Sequence, residues 1–244
     1  MTLNEASPVG SANATPRGSS VGTFIRDVVV ILLVAILISF VLKTFVVRSF
    51  YIPSGSMEPT LMIDDRVIVN QLLHGLVPIE RGDVVVFEDP GGWLPPSPEG
   101  DSTPLERIVS GALAFVGLIP ADTNNHLVKR VIGLPGDTVV CCNELDQVTL
   151  NGLPLDEPYI QFAPGASAPA RVEFDVTVPT DSLWVMGDNR NNSRDSRYNM
   201  TGPGGGTVAY SSVVGRAIVI SWPIDRWSWL DNFENTFAGV DDPL

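Results

Sequence analysis

A serine set in a stiff turn and a lysine set among apolar residues are the two side chains best suited to acyl-transfer chemistry. The serine is Ser56, in the segment YIPSGSMEPTL from Tyr51 to Leu61. Pro53 and Pro59 bracket the turn, and Gly55 lets the backbone approach a bound chain closely, so Ser56 is presented in one orientation. A hydroxyl is a poor nucleophile until a neighbouring group takes its proton. Histidine is the usual base, but the sequence holds only His74, in QLLHGLV, and His126, after a polar run, and neither lies in a motif-like setting. A Ser-His-Asp triad is therefore disfavoured, and a serine-lysine pair is a known variant of the same logic.

Lysine occurs only at Lys43 and Lys129, so arginine fills every basic position but one beyond Arg48. Lys129 lies in HLVKRVIGLPGD, where strand alternation puts Leu127, Lys129 and Val131 on one face. Arg130 has similar apolar neighbours on the opposite face, but a guanidinium cannot give up its proton, which leaves Lys129 as the base. An ordinary lysine is neutral in only about 1 molecule in 2,500 at pH 7, a penalty near ~4.6 kcal/mol. Burial can bring a lysine pKa down to about 6, which removes most of that penalty. No metal or cofactor is required. Cys141 and Cys142 are adjacent, unlike the spaced ligands of a zinc site. They can be bonded to each other or stay reduced on opposite faces of a strand.

These residues must be positioned by a fold that begins with an apolar run. Residues 1–22 are rich in Ser, Gly, Ala and Thr and are expected to be a disordered tail. Val28 to Val47 reads VVVILLVAILISFVLKTFVV, long enough to cross a bilayer as a helix, and the span is placed at residues 23–47. Lys43 sits near one end, where its ammonium can reach the interface. The run exceeds the apolar core of a secretion signal and no small-x-small cleavage pattern follows it, so an uncleaved anchor is expected. Flanking basic residues are balanced and leave the orientation open.

Beyond the span come short Val-, Ile- and Phe-rich runs such as RVIVNQL, GDVVVFE, HLVKRVIG, DTVVCC, QVTLNG, SLWVMGD and VVGRAIVISW, separated by Gly, Pro and Asn turns. The pattern predicts a mainly β domain over residues 48–230. A Pro- and Gly-rich stretch at residues 89–125, with one short amphipathic segment, reads as an insertion, and residues 231–244 form an acidic C-terminal tail. Trp222, Trp227 and Trp229 read as packing residues more readily than as an interfacial belt. Beyond Arg48 there are 11 basic against 26 acidic residues, a net charge near −15. Such a domain is repelled by phosphate backbones, which argues against nucleic-acid partners.

The chain resembles the bacterial type I signal peptidases. SGSMEPTL (Ser54 to Leu61) is similar to the family's nucleophile motif, RGDVVVF (Arg81 to Phe87) to its next strand motif, KRVIGLPGD (Lys129 to Asp137) to its lysine motif and GDNRNNSRDSR (Gly187 to Arg197) to its last motif. Four motifs in order behind an N-terminal span make the resemblance specific; each alone is weak. It implies a signal-peptidase-like β-rich catalytic domain behind a single transmembrane helix, with Ser56 as nucleophile and Lys129 as general base. It also implies an oxyanion hole from the Ser56 N–H and the Ser54 hydroxyl, Ser193 bonded to Lys129 to orient its amine, and Asp188, Asp195 and Arg197 in supporting ion pairs. Asn191 stands where the family often has Asp.

The implied activity is removal of signal peptides from secretory preproteins after small-x-small sites, through an acyl-enzyme. The enzyme would sit in the bacterial cell membrane as a single-pass protein with its domain on the extracytoplasmic side, and its partners would be preproteins and the lipid bilayer. An extended substrate would lie beside a strand, with Ile52, Pro53, Met57, Leu61, Leu127 and Val128 as candidate lining residues. The alternative is a non-catalytic membrane-anchored β surface module. A soluble Ser-Lys autoprotease related to SOS repressors would lack the span, and a penicillin-binding reading fails because Ser56 opens SMEP and not S-x-x-K.

Overall fold

The short Val-, Ile- and Phe-rich runs beyond the apolar segment form strands. The computed structural model describes residues 21–71, 77–95, 125–160 and 171–241. In chain order the elements are α1 (Val21–Phe45), β1 (Val47–Tyr51), β2 (Arg66–Asn70), β3 (Val84–Glu88), β4 (His126–Gly133), β5 (Thr138–Cys141), β6 (Val148–Leu150), β7 (Leu153–Pro154), β8 (Phe174–Thr177), β9 (Ser182–Met186), β10 (Val208–Ala209), β11 (Val213–Trp222) and β12 (Ser228–Trp229). The mainly β expectation is borne out.

The chain divides into two units, the first ending at Leu42 and the second running over Lys43–Leu244. In the first, α1 is apolar from Val21 to Ser39 and buries none of that stretch. A helix apolar on all sides needs an apolar surrounding, so α1 fits a membrane anchor. It ends at Phe45, and β1 begins at Val47, where the apolar run had suggested that the span continued. The tail before residue 21 and the inserted stretch from 96 to 124 lie outside the described residues.

In the second unit an eight-stranded antiparallel sheet has the order β1-β2-β11-β3-β4-β9-β10, with β12 paired to β11. A four-stranded sheet has the order β7-β6-β5-β8. Alternation sorts the side chains into three clusters. Val85, Phe87, Leu127, Val131, Leu183 and Val185 belong to one. Phe50, Val67, Val69, Val84, Val86 and Ile220 belong to a second. Ile132, Trp184 and Met186 of the large sheet meet Val139, Leu150 and Phe174 of the small one in the third. At roughly 1.5 to 3 kcal/mol for each large side chain taken from water, these clusters are the main force holding the strands in register.

Some features were not evident in the sequence. Strand β8 is short and points Phe174 inward and Asp175 outward, too brief a repeat to register as a strand. Cys141 and Cys142, at the end of β5, are bonded to each other. Trp222, Trp227 and Trp229 are exposed, the last two packing edge to face on one another. The acidic stretch beyond Asp231 is packed down through residue 241, with Phe237 in the third cluster and Arg81 donating to the carbonyls of Val240 and Asp241.

Candidate active site

Ser56 lies in the 3-10 turn Gly55–Met57, separated from the end of β1 by three residues. The turn is pinned on both sides: Ile52 N–H donates to Asp65 O, Asp64 N–H to Ile52 O, and Leu61 N–H to Met57 O. Lys129 comes from β4, which is paired with β3 and β9, so its backbone is fixed from both edges. The pairing sets Lys129 opposite Val85 and Leu127 opposite Phe87, in keeping with the shared strand face expected for Leu127, Lys129 and Val131. Lys129 Nζ lies 2.7 Å from Ser56 Oγ and 3.0 Å from the Val128 carbonyl, and the residue is 2% exposed.

Burial lowers the Lys129 pKa to about 8 against the pull of Asp195 and Asp188, which favour the ammonium. At pH 7 about one molecule in ten then carries the neutral amine, and the remaining penalty is about 1.4 kcal/mol. A buried amine in hydrogen-bond contact with a serine hydroxyl can take its proton as that oxygen attacks a carbonyl. Among the described residues no group of three His, Cys, Asp or Glu side chains is arranged to hold a metal ion.

A family model for signal peptidase, peptidase S26, matches residues 25–222, from inside α1 to the end of β11. The chain belongs to the signal peptidase family, peptidase S26. Curated relatives include a probable signal peptidase I of Mycobacterium leprae (strain TN), 42% identical, with 72% of this chain and 68% of that one covered. The signal peptidase I of Mycobacterium tuberculosis is 39% identical over 87% and 77% of the two chains. That of Leptolyngbya laminosa is 37% identical over 72% and 69%. The resemblance read from the four motifs is thereby established, and with it the enzyme class, signal peptidase I.

Around the serine and lysine of this signal peptidase the supporting groups fall as follows. Arg130, the residue after Lys129, joins Asp188 through Nε and Nη2 at 2.9 and 2.7 Å, with neither side chain exposed. Its Nη1 donates to the carbonyls of Gly82 and Asp231, and its guanidinium stacks 4.3 Å from the Tyr159 ring centroid. Thr60, four residues past Ser56, donates to Asp188 at 2.5 Å. Asp195 takes two hydrogen bonds from the Arg197 guanidinium and one from Gly187 N–H. Burial alone would raise the Asp195 pKa, but Arg197 outweighs it and holds the carboxylate below its usual range. The ion pairs expected of Asp188, Asp195 and Arg197 are present, with Arg130 as the partner of Asp188.

Ser54 is exposed, with its hydroxyl 3.4 Å from Ser56 Oγ. Ser193 differs from expectation: its hydroxyl is buried without a hydrogen-bond partner among the described residues, and Lys129 donates instead to Ser56 and Val128. Of the candidate lining residues, Ile52, Met57 and Leu61 are 2%, 1% and 0% exposed, inside the second cluster. Leu127 belongs to the first cluster, Val128 is half-buried against the second, and Pro53 is exposed. His126 packs against Phe50, and His74 lies outside the described residues.

Several supports escaped sequence reading because each joins residues far apart in the chain. Arg190 donates to both Glu157 carboxylate oxygens, at 2.8 and 2.5 Å, in a pair whose side chains are almost wholly buried. Arg81 of the second motif binds Asp137 at the end of the third, through Nε and Nη2 at 2.9 Å each. Asn189 bonds twice to the serine turn. The one available signal was the arginine-for-lysine bias, which supplies forked donors wherever a carboxylate is to be held bidentately.

Proposed function

We propose that this signal peptidase is a membrane-bound serine endopeptidase that frees secretory preproteins of their signal peptides with Ser56 as nucleophile and Lys129 as general base. The observation that carries the reading is the 2.7 Å contact between Lys129 Nζ and Ser56 Oγ in a buried setting that depresses the lysine pKa. It is supported by the names of the relatives, which are signal peptidases I.

In this reading the substrate carbonyl lies against Ser56. Oγ forms a bond to the carbonyl carbon while its proton passes to neutral Nζ of Lys129, giving a tetrahedral oxyanion and an ammonium. The Ser56 N–H and the Ser54 hydroxyl bind the oxyanion. As the C–N bond breaks, the ammonium returns its proton to the departing amine, which becomes the new N-terminus of the mature protein. Lys129 then deprotonates a water that attacks the Ser56 ester, and collapse of the second tetrahedral species regenerates Ser56 and releases the signal peptide as an acid.

Small residues at the cleaved position and two before it are the proposed specificity, with the substrate extended beside a strand. The proposed seat is the bacterial membrane, spanned once by α1, with the catalytic domain on the extracytoplasmic side where signal peptides emerge. Ser56 follows α1 after only β1 and a turn, which suits a cleavage site close to the bilayer.

The test is cleavage of a model preprotein with a small-x-small site by the wild type, Ser56→Ala and Lys129→Ala in detergent, with folding checked. Both substitutions should abolish cleavage. Wild-type activity in either variant would overturn the pair and favour a different nucleophile or base; inactivity of the wild type would favour a non-catalytic surface module.

A further inference from the structure

We infer that Asn189 is a positioning residue for the oxyanion site: it holds the single peptide unit whose N–H faces the reacting carbonyl. The inference rests on the assignment of Ser56 as nucleophile. The peptide between Gly55 and Ser56 presents the Gly55 carbonyl at one end and the Ser56 N–H at the other. Asn189 Nδ2 donates to Gly55 O at 3.1 Å, and the Asn189 backbone N–H donates to Ser56 O at 3.1 Å. One residue thus grips the carbonyls on both sides of the nucleophile's Cα.

Two physical effects follow. Together with the Glu58 N–H, which also donates to Gly55 O at 3.2 Å, the pair of bonds fixes the tilt of the 55–56 peptide plane, and with it the direction of the Ser56 N–H. Oxyanion stabilisation depends on donors already aimed before charge develops. The bond to Gly55 O also polarises that peptide in the same sense as an oxyanion accepting from its N–H, because hydrogen bonds along a chain of amides reinforce one another where water is scarce.

Asn189 is well placed for this because its neighbours on both sides are locked. Asp188 is held by Arg130 and Thr60, and Arg190 by Glu157 and by a bond from its Nε to Gly187 O. The turn closes on itself through Asn192 N–H to Asn189 O. A side chain so mounted transmits position and does not follow the loop it touches.

The experiment uses the full chain in detergent, with a cleavable preprotein and with a peptide aldehyde that forms a hemiacetal on Ser56. Asn189→Ala removes the side-chain donor and keeps the backbone bond; Asn189→Asp removes it and sets a carboxylate against the Gly55 carbonyl. We expect kcat to fall roughly tenfold in Asn189→Ala and further in Asn189→Asp, short of the 100-fold or greater loss of a direct oxyanion donor. KM should stay within about twofold, aldehyde affinity should weaken by about the same factor as kcat, and the ascending limb of the pH profile should not move. Unchanged kcat, a loss confined to KM, or a loss that tracks a shifted lysine titration or a lowered Tm would overturn it. If either variant fails to fold, Asn189→Ser, which keeps a shorter donor, is read by the same criteria. Ser56→Ala is run alongside; activity surviving there refutes the nucleophile and leaves any Asn189 effect to be explained by another serine.

Discussion

Arg130 and Asp188 form a two-bond ion pair with both side chains completely buried, and Asp188 also accepts from Thr60. The pair therefore joins the strand that carries Lys129 to the segment that carries Ser56. Removing one member leaves the other charge buried and unpaired, which costs about 3 to 5 kcal/mol. Arg130→Ala and Asp188→Ala should each lower unfolding stability by that amount in denaturant titration. The double variant should be less destabilised than the sum. Full additivity would show that the pair is not coupled.

The pH dependence follows from Lys129. Its amine is depressed to about 8, so raising the pH through about 8 converts the ammonium to the base. The value of kcat/KM should climb tenfold per pH unit below that point and level off above it. A profile flat between pH 6 and 9 would show that a different group is the base.

The same depression has a stability consequence of the opposite character. The folded pKa lies below the unfolded one, so between about pH 8 and 10.5 the unfolded chain binds more protons, and the lysine's burden on folding lifts as pH rises across that window. Lys129→Met, which has no charge to desolvate, should abolish cleavage yet raise stability at pH 7 by on the order of 3 kcal/mol. Calorimetry of the two proteins at pH 7 and pH 10 checks this; a gain equal at both values would refute the account.

Gly187 lies at the meeting point of the serine turn and the last motif. A Cβ there would stand 2.5 Å from Ser56 O and 2.2 Å from Ser193 Oγ, and the first of these is backbone. Gly187→Ala should displace Ser56 and lower kcat by about 100-fold, the scale of a misplacement near 1 Å. The change should exceed that of Gly152→Ala, a turn glycine with open space around it, in parallel assays.

The proposed pairing of Ser56 with Lys129 could be reached from the sequence because elimination by chemistry needs no coordinates: two histidines in unsuitable settings, one lysine beyond the span, and two serines between Pro53 and Pro59, of which the family motif singles out Ser56. The strands around it were legible where runs rich in Val, Ile and Phe are bounded by turn residues, as in β3, β4 and β11. Strand β1 was not, because Val47 continues the apolar run of α1 and a helix and a strand sharing a border give no change in composition there. The clamp on the Gly55 carbonyl could not be read either, since Asn189 and Gly55 are brought together only by the turn of β9 into the last motif. Met57 and Leu61 looked like pocket residues from their nearness to Ser56 in the chain, whereas both pack into the second cluster of the core.

The strand order has a consequence for the life of the chain on the ribosome. Ser56 is carried by the β1-β2 hairpin and Lys129 by the β3-β4 pair, and among the described residues these halves of the sheet are bridged by β11 alone, a strand made some eighty residues after the lysine. Pairings so distant in sequence form late and slowly. In a growing polypeptide that has passed Lys129 but not yet Trp222, Ser56 and Lys129 therefore sit on separate hairpins, and the strand that would hold the two hairpins side by side in the sheet has still to be made.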